Sequence, residues 1–201
     1  MLITAIKQTS PGRLTVTLED EREIKTTLGV VTDLRLFSGR ELDAGALEEL
    51  ERESRRALTR EKALEYLSRA MSRKELEKKL TDKGYDEEDA AYCAAWLAER
   101  GLIDDAGYAA AVARHYSAKG YGPGRIRSEL SRRGIDRDMW DEVLYAAPRD
   151  DSKIDKFISS RLTDPEDCDQ VRKVSAALFR RGYSWEDIRE ALNRFNATIE
   201  D

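Results

Sequence analysis

The sequence predicts a mainly α-helical protein made of three tandem three-helix repeats that form a curved array, with a small β-containing segment at the N-terminus. Two observations predict this fold class: a helix-ending motif recurs at nearly even spacing, and apolar residues recur at helical intervals through most of the chain. The chain has 201 residues, of which 37% are charged and 40% are hydrophobic. This composition is typical of a soluble helical protein.

The recurring motif has an apolar anchor, a cation, a glycine, a large apolar residue and a helix N-cap. It occurs at residues 80–86, 130–136 and 178–184, and its glycines, Gly84, Gly134 and Gly182, are 50 and 48 residues apart. A recurrence of this length is typical of repeat proteins, in which each unit buries its apolar face against its neighbours.

Each copy of the motif is expected to end one helix and begin the next. Glycine adopts positive φ without a Cβ penalty, so it suits the position just past a helix end. Asp86, Asp136 and Ser184 are then predicted to cap the following helices. An alternative interpretation is that one of these corners is a DNA-reading helix-turn-helix, but antiparallel helix corners are common in helical bundles.

The first 42 residues predict a small sheet. Alternating or β-prone residues predict strands over 2–8, 13–18 and 23–28, followed by a short helix over 28–36. Such a sheet needs a helix to cover its apolar face.

A long charged helix is predicted from Asp43 to Arg69. Its middle is polar almost all round, so it is either stabilised by ion pairs within the helix or bridges two packed parts. A break near Thr59 is an alternative.

The pattern divides the chain into four parts. Residues 1–42 form the β-containing segment, 43–104 the long helix with the first repeat, 105–150 the second repeat and 151–201 the third. In the third repeat, Asp164-Pro165 is predicted to start the second helix, and the inward face of the third helix is predicted to contain Trp185, Ile188, Leu192 and Phe195.

Charge is unevenly distributed along the chain. The formal net charge is −5, but residues 114–133 contain six cations and one acid, Glu129. The candidate partner-facing or DNA-facing residues are therefore Arg114, Lys119, Arg125, Arg127, Arg132 and Arg133. The alternative is that this segment is only a solvated helix face.

No pattern in the sequence predicts catalysis, a cofactor or a metal site. His115 is the only histidine and is expected at the edge of the core, and Asp104-Asp105 is better explained as a helix start. The glycine-rich segment 119–124 lacks the Gly-Lys-Ser/Thr of a P-loop. Cys93 and Cys168 are expected to be free thiols.

No apolar run is long enough to span a bilayer, and the first residues lack the basic region and apolar core that are typical of a secretory signal. We therefore expect a cytoplasmic protein without a membrane partner. We also expect the protein to be a monomer.

Several ordered segments resemble the RecX family, bacterial regulators of the recombinase RecA. The resemblance extends from about residue 36 to 195, and its segments are 38–42, 63–67, 72–84, 97–105, 119–135 and 180–183. No single segment is specific to the family, but the order and spacing of the segments are hard to obtain by chance.

The resemblance implies a non-enzymatic regulator without a cofactor that binds along the groove of a RecA filament on single-stranded DNA. It also implies modulation, usually inhibition, of strand exchange, ATPase and co-protease activity in DNA repair and the SOS response. Members of the family are commonly basic, whereas this chain is acidic, so we expect protein contacts to dominate and direct DNA contact to be weak. The alternative is a helical-repeat DNA-binding module that acts without RecA.

Overall fold

The computed structural model describes residues 1–148 and 151–197, which form two compact units, one from Met1 to Ile103 and one that begins at Asp104. Helices dominate, as predicted. The strands are β1 (Ile3–Ser10), β2 (Arg13–Leu18) and β3 (Glu23–Thr27). The helices of the first unit are α1 (Leu28–Asp33), α2 (Ala44–Tyr66), α3 (Arg73–Thr81) and α4 (Glu87–Glu99). Those of the second are α5 (Asp105–Ala118), α6 (Pro123–Arg132), α7 (Trp140–Ala146), α8 (Asp151–Ser159), α9 (Cys168–Arg180) and α10 (Trp185–Asn193).

The three strands form one antiparallel sheet in the order β1-β2-β3. Val16 of the central strand pairs with Ile6 on one side and Ile24 on the other. One face is apolar and packs on the helices that follow it in a core of Ile3, Val16, Leu18, Val30, Leu36, Leu42, Leu50 and Ala57. The prediction that a helix covers the sheet is confirmed.

Helix α2 runs unbroken for 23 residues, about 34 Å at 1.5 Å per residue. The alternative of a break near Thr59 is wrong, because its hydroxyl donates to the Arg55 carbonyl within the helix at 2.8 Å and the helix continues past it. Leu50 and Ala57 pack on the sheet, whereas Ala63 packs in the first repeat. The helix therefore bridges two cores, which explains its polar middle.

Each predicted repeat has its own apolar core. The first core contains Ala63, Leu76, Leu80, Ala90, Ala94, Leu97 and Ile103. The second contains Ala109, Val112, Ala113, Ile126, Leu130, Ile135 and Val143. The third contains Ile154, Ile158, Leu162, Val171, Val174, Leu178, Ile188, Ala191, Leu192 and Ala197. No helix within the described residues has both the length and the apolar character needed to cross a bilayer.

The glycine corners have the predicted conformation. Gly84, Gly134 and Gly182 adopt φ of 87°, 67° and 89°. In each corner the residue after the glycine donates its N–H to the carbonyl of the apolar anchor five residues earlier, at 3.2 Å, 3.0 Å and 3.3 Å. This is the hydrogen bond of a Schellman motif.

Two further corners use the same geometry. Gly101 and Gly120 adopt φ of 69° and 76°, and Leu102 and Tyr121 donate to carbonyls five residues earlier. The repeating device therefore closes more helices than the three-copy motif predicted.

The predicted helix starts are confirmed at Asp86 and Ser184, whose side chains accept from backbone N–H groups of α4 and α10. Asp136 makes no capping hydrogen bond, because a 3₁₀ turn over Arg137–Met139 precedes α7. Helix α9 begins later than predicted, at Cys168, because Asp167 rather than Asp164 accepts from its first free N–H groups.

Candidate partner-binding surface

The glycine-rich segment of the second repeat meets the corner of the third repeat backbone to backbone. The Gly122 N–H donates to the Arg181 carbonyl at 2.9 Å, and the Gly124 N–H donates to the Gly182 carbonyl at 2.8 Å. The Tyr183 hydroxyl also donates to the Gly120 carbonyl at 3.2 Å. We call this junction the glycine seam.

The seam leaves no room for a side chain. A Cβ added at Gly122 would lie 2.5 Å from the Gly182 carbonyl carbon, and one added at Gly182 would lie 2.1 Å from the Arg125 nitrogen. The sequence pattern of this segment excludes a P-loop but does not indicate this role. Gly122 and Gly124 are needed because two backbones approach each other closely here. Glycine permits such an approach because it has no side chain.

A groove of about 600 Å³ lies beside the seam, and we call it the arginine groove. It is lined by Pro123, Gly124, Arg125, Arg127, Ser128, Phe179, Arg180, Gly182, Tyr183, Ser184 and Asp187. Of the six cations predicted to face a partner, the groove contains Arg125 and Arg127.

Three of the six predicted cations surround one buried acid. The Glu129 carboxylate, on α6, is 3.2 Å from Arg125, 2.8 Å from Arg132 and 3.8 Å from Arg133. Burial alone would raise the pKa of the Glu129 carboxyl, but hydrogen bonds and charge from Arg132, with help from Tyr116 and Arg125, hold that pKa below its usual value. These three arginines therefore have a structural role in the repeat.

The other three predicted cations are more loosely held. Arg114 and Lys119 are exposed on and just after α5. Arg127 is exposed and 3.7 Å from Asp141, whose side chain is 94% exposed. Such exposed pairs contribute little to stability, so these cations can turn toward a partner at small cost.

An exposed aromatic pair borders the arginine groove. Phe179 and Trp185 stack with ring centroids 5.1 Å apart and an interplanar angle of 19°, and both are about half exposed. The prediction that Trp185 faces the core is wrong. Trp185 is the first residue of α10 and lies beyond the end of the core that Ile188 and Leu192 fill. Its helical spacing from Ile188 therefore led to the wrong prediction.

The first unit presents a second surface of arginines and aromatic rings. The Arg56 guanidinium lies 3.9 Å from the centroid of the Tyr92 ring, and that of Arg100 lies 3.7 Å from Trp96. Arg56 and Arg55 also bind the buried carboxylate of Asp89 at 3.3 Å and 3.1 Å. This surface could not be predicted from the sequence, because its cations lie far apart in the chain and interleave with acids.

Of the residues considered for chemistry, Asp104 begins a helix, His115 is exposed and Cys93 is buried. The Asp104 side chain accepts from the Gly107 N–H at 2.9 Å at the start of α5, and His115 is exposed against the edge of Tyr116 rather than at the edge of the core. Burial raises the pKa of the Cys93 thiol to about 11, which keeps it protonated. Within the described residues, neither Cys93 nor Cys168 forms a disulfide bond. Among the described residues, no three His, Cys, Asp or Glu side chains come together as a metal site would require.

Two family models and the sequences of known proteins match this chain. The family model described as "RecX, first three-helix domain" matches residues 60–97, and "RecX, second three-helix domain" matches 104–144. The Regulatory protein RecX of Stenotrophomonas maltophilia (strain R551-3) is 36% identical over 126 residues, which are 61% of this chain and 77% of that protein. That of Xanthomonas axonopodis pv. citri (strain 306) is 36% identical over 136 residues, 66% of this chain and 82% of that protein.

Two solved structures share the fold. One, described as the crystal structure of regulatory protein RecX, superposes with a TM-score of 0.76 and 25% identity over 96% of this chain and 98% of the other. The RecX structure from Lactobacillus salivarius has a TM-score of 0.60 and 24% identity over 71% of this chain and 97% of the other.

Fold and surface together define a mainly helical repeat protein with exposed arginines and aromatic rings. The sequence matches narrow this class to one family. The chain belongs to the RecX family of regulatory proteins.

Proposed function

We propose that this protein binds the RecA filament on single-stranded DNA and lowers the recombinase, ATPase and co-protease activities of RecA during DNA repair and the SOS response. The observation that carries the proposal is the match at 36% identity to regulatory RecX proteins over more than three quarters of their length. The protein acts in this proposal by binding, as a cytoplasmic monomer without a cofactor. In this proposal the chain is divided into the four segments expected from sequence, residues 1–42, 43–104, 105–150 and 151–201.

Within this proposal the six predicted cations have different roles. Arg125, Arg132 and Arg133 hold Glu129 and shape α6, whereas Arg114, Lys119 and Arg127 face the partner. Phosphate contacts by arginine and lysine displace counterions, so filament binding should weaken as salt rises.

The test measures RecA ATPase on single-stranded DNA and co-sedimentation of the protein with the filament. Wild-type protein is expected to co-sediment and to lower the ATPase rate. The triple variant Arg114→Glu, Lys119→Glu, Arg127→Glu should bind the filament at least tenfold more weakly. A matched control, Lys7→Glu, Lys25→Glu, Lys83→Glu, makes the same charge change at exposed positions of the first unit.

Equal weakening in the control would mean that net charge alone acts. An unchanged ATPase rate together with absence of wild-type protein from the filament pellet would reject the proposal.

A DNA-binding module that acts without RecA is a second candidate, favoured by one observation. Helix α6 follows a tight corner at Gly120 and exposes Arg125 and Arg127 in its first two turns, where a recognition helix carries its base contacts. Tight, sequence-preferring binding to naked duplex DNA at physiological salt would favour this candidate over the filament.

A further inference from the structure

The arginine groove combines positive charge with an open aromatic stack. Arg125, Arg127 and Arg180 line it together with Phe179, and Trp185 stacks on Phe179 at 5.1 Å. Large aromatic side chains are normally buried in a core, and here two neighbouring rings are each about half exposed.

The cations of the groove exceed its acids. Arg180 is exposed and has no ion-pair partner within 4.0 Å in the described part of the chain, and Arg127 has only the loose contact with Asp141. The one acid in the lining, Asp187, accepts hydrogen bonds from the Ser184 N–H and hydroxyl at 3.2 Å and 2.6 Å, so it belongs to the start of α10.

The groove is also held in shape. Its two walls, the first turns of α6 and the last turn of α9 with its corner, are joined by the glycine seam through the hydrogen bond from Gly124 to Gly182. A ligand therefore does not have to order the walls before it binds, which reduces the entropic cost of binding.

We propose that the arginine groove binds single-stranded nucleic acid, with a base stacked on the Phe179–Trp185 pair and phosphates bound by Arg127 and Arg180. The proposal deepens the proposed function, on which it rests, by assigning the surface that touches the exposed strand in the filament. Charged grooves that carry stacking platforms are the general means by which proteins hold unpaired strands without reading sequence.

The chemistry favours an unpaired strand over two other anionic partners. In a duplex the base faces are covered by their neighbours, so they cannot extend the ring stack. An acidic peptide would satisfy the arginines but would leave the flat ring faces without a matching surface. The exposed aromatic pair is thus the observation that favours an unpaired strand over a duplex or an acidic peptide.

The experiment measures binding of a fluorescein-labelled oligodeoxythymidylate to the full-length protein by anisotropy at low salt, without RecA. Phe179→Leu, which keeps an apolar side chain but removes the ring, should weaken binding about fivefold or more, because stacking contributes ~1–3 kcal/mol per base. Phe179→Trp should restore it. Arg180→Glu should also weaken binding, whereas Lys173→Glu, an equal charge change at an exposed position of α9, should not.

Intrinsic fluorescence gives an independent readout of stacking. The oligonucleotide should quench the wild-type tryptophan emission, and Trp185→Phe should abolish most of this quenching even at saturating oligonucleotide. Trp96 and Trp140 remain as internal references.

Several outcomes would overturn the proposal: no oligonucleotide binding, equal affinity for duplex and single strand, equal competition by polyglutamate, or undiminished binding by Phe179→Leu. The co-sedimentation assay keeps the two proposals distinguishable. If the protein binds the filament but the groove variants do not weaken oligonucleotide binding, only the groove proposal is rejected. If the groove variants weaken oligonucleotide binding but the protein does not bind the filament, only the RecA proposal is rejected.

Discussion

At the scale of single residues, Gly182 meets two requirements at once. Its φ of 89° favours glycine, and its hydrogen atom occupies space where a Cβ would lie 2.1 Å from the Arg125 nitrogen. The first requirement is shared by the corners at Gly84, Gly101, Gly120 and Gly134, whereas the second arises from the glycine seam. The two can be separated by comparing Gly182 with a glycine corner outside the seam.

Gly182→Ala is expected to lower the free energy of unfolding by about 3 kcal/mol, because the methyl group forces the seam apart in addition to straining the corner. Gly84→Ala is the matched control, because Gly84 lies outside the seam. It has a φ of 87°, and its added Cβ would meet no atom of the described residues within 4 Å, so we expect a loss of about 1 kcal/mol. Urea denaturation followed by circular dichroism measures both, and equal losses would contradict the seam.

Glu129 makes the stability of the second unit depend on pH. The pKa of its carboxyl is lowered in the folded protein, so its stabilising effect is complete above the unfolded pKa of about 4.3 and is lost as pH falls through the lower folded value. Glu129→Gln should therefore cost about 1–3 kcal/mol at pH 7 and less near pH 3.

Urea denaturation at both pH values measures this difference. Glu142→Gln, at an exposed position of α7, should be neutral at both. A cost of Glu129→Gln that does not change with pH would show that shape rather than charge holds the three arginines in place.

At the scale of elements, helix α2 is docked on the sheet by a buried polar contact. The Ser54 hydroxyl donates to the Thr26 hydroxyl at 2.8 Å, and both residues are almost fully buried, with exposures of 1% and 0%. A buried hydroxyl that loses its partner is costly, whereas replacing both partners by apolar groups of similar shape is much less so.

Ser54→Ala is expected to destabilise the first unit by about 1–2 kcal/mol. Adding Thr26→Val should recover part of this loss, so that the double variant is more stable than the sum of the single changes predicts. Thermal unfolding of the four proteins in the cycle provides the coupling energy. Strictly additive losses would mean that this hydrogen bond does not link α2 to the sheet.

Elements whose ends carry their own signal could be predicted from sequence. The strands, α2 and the corners at Gly84, Gly134 and Gly182 follow from alternation, an Asp43 cap and glycine after an apolar anchor. The start of a helix could not be predicted where more than one residue was a possible N-cap. Asp136 precedes a 3₁₀ turn, and the cap of α9 lies at Asp167, whereas Asp164 accepts from the Glu166 N–H in the turn before the helix.

At the scale of the molecule, periodicity predicted the repeats but not the contacts between elements distant in sequence. Gly122 and Gly182 meet across 60 residues, and the stack of Phe179 on Trp185 depends on where α10 begins. The six cations were found as a run of sequence, whereas their division into three that bind Glu129 and three that do not required the structure.

The measurement that tests the account most directly is electron microscopy of RecA filaments on single-stranded DNA mixed with this protein. We predict added density that repeats along the filament groove and that is lost with the Arg114→Glu, Lys119→Glu, Arg127→Glu variant but kept with the Lys7→Glu, Lys25→Glu, Lys83→Glu control. Filaments indistinguishable from RecA alone, at protein concentrations that saturate RecA, would contradict it.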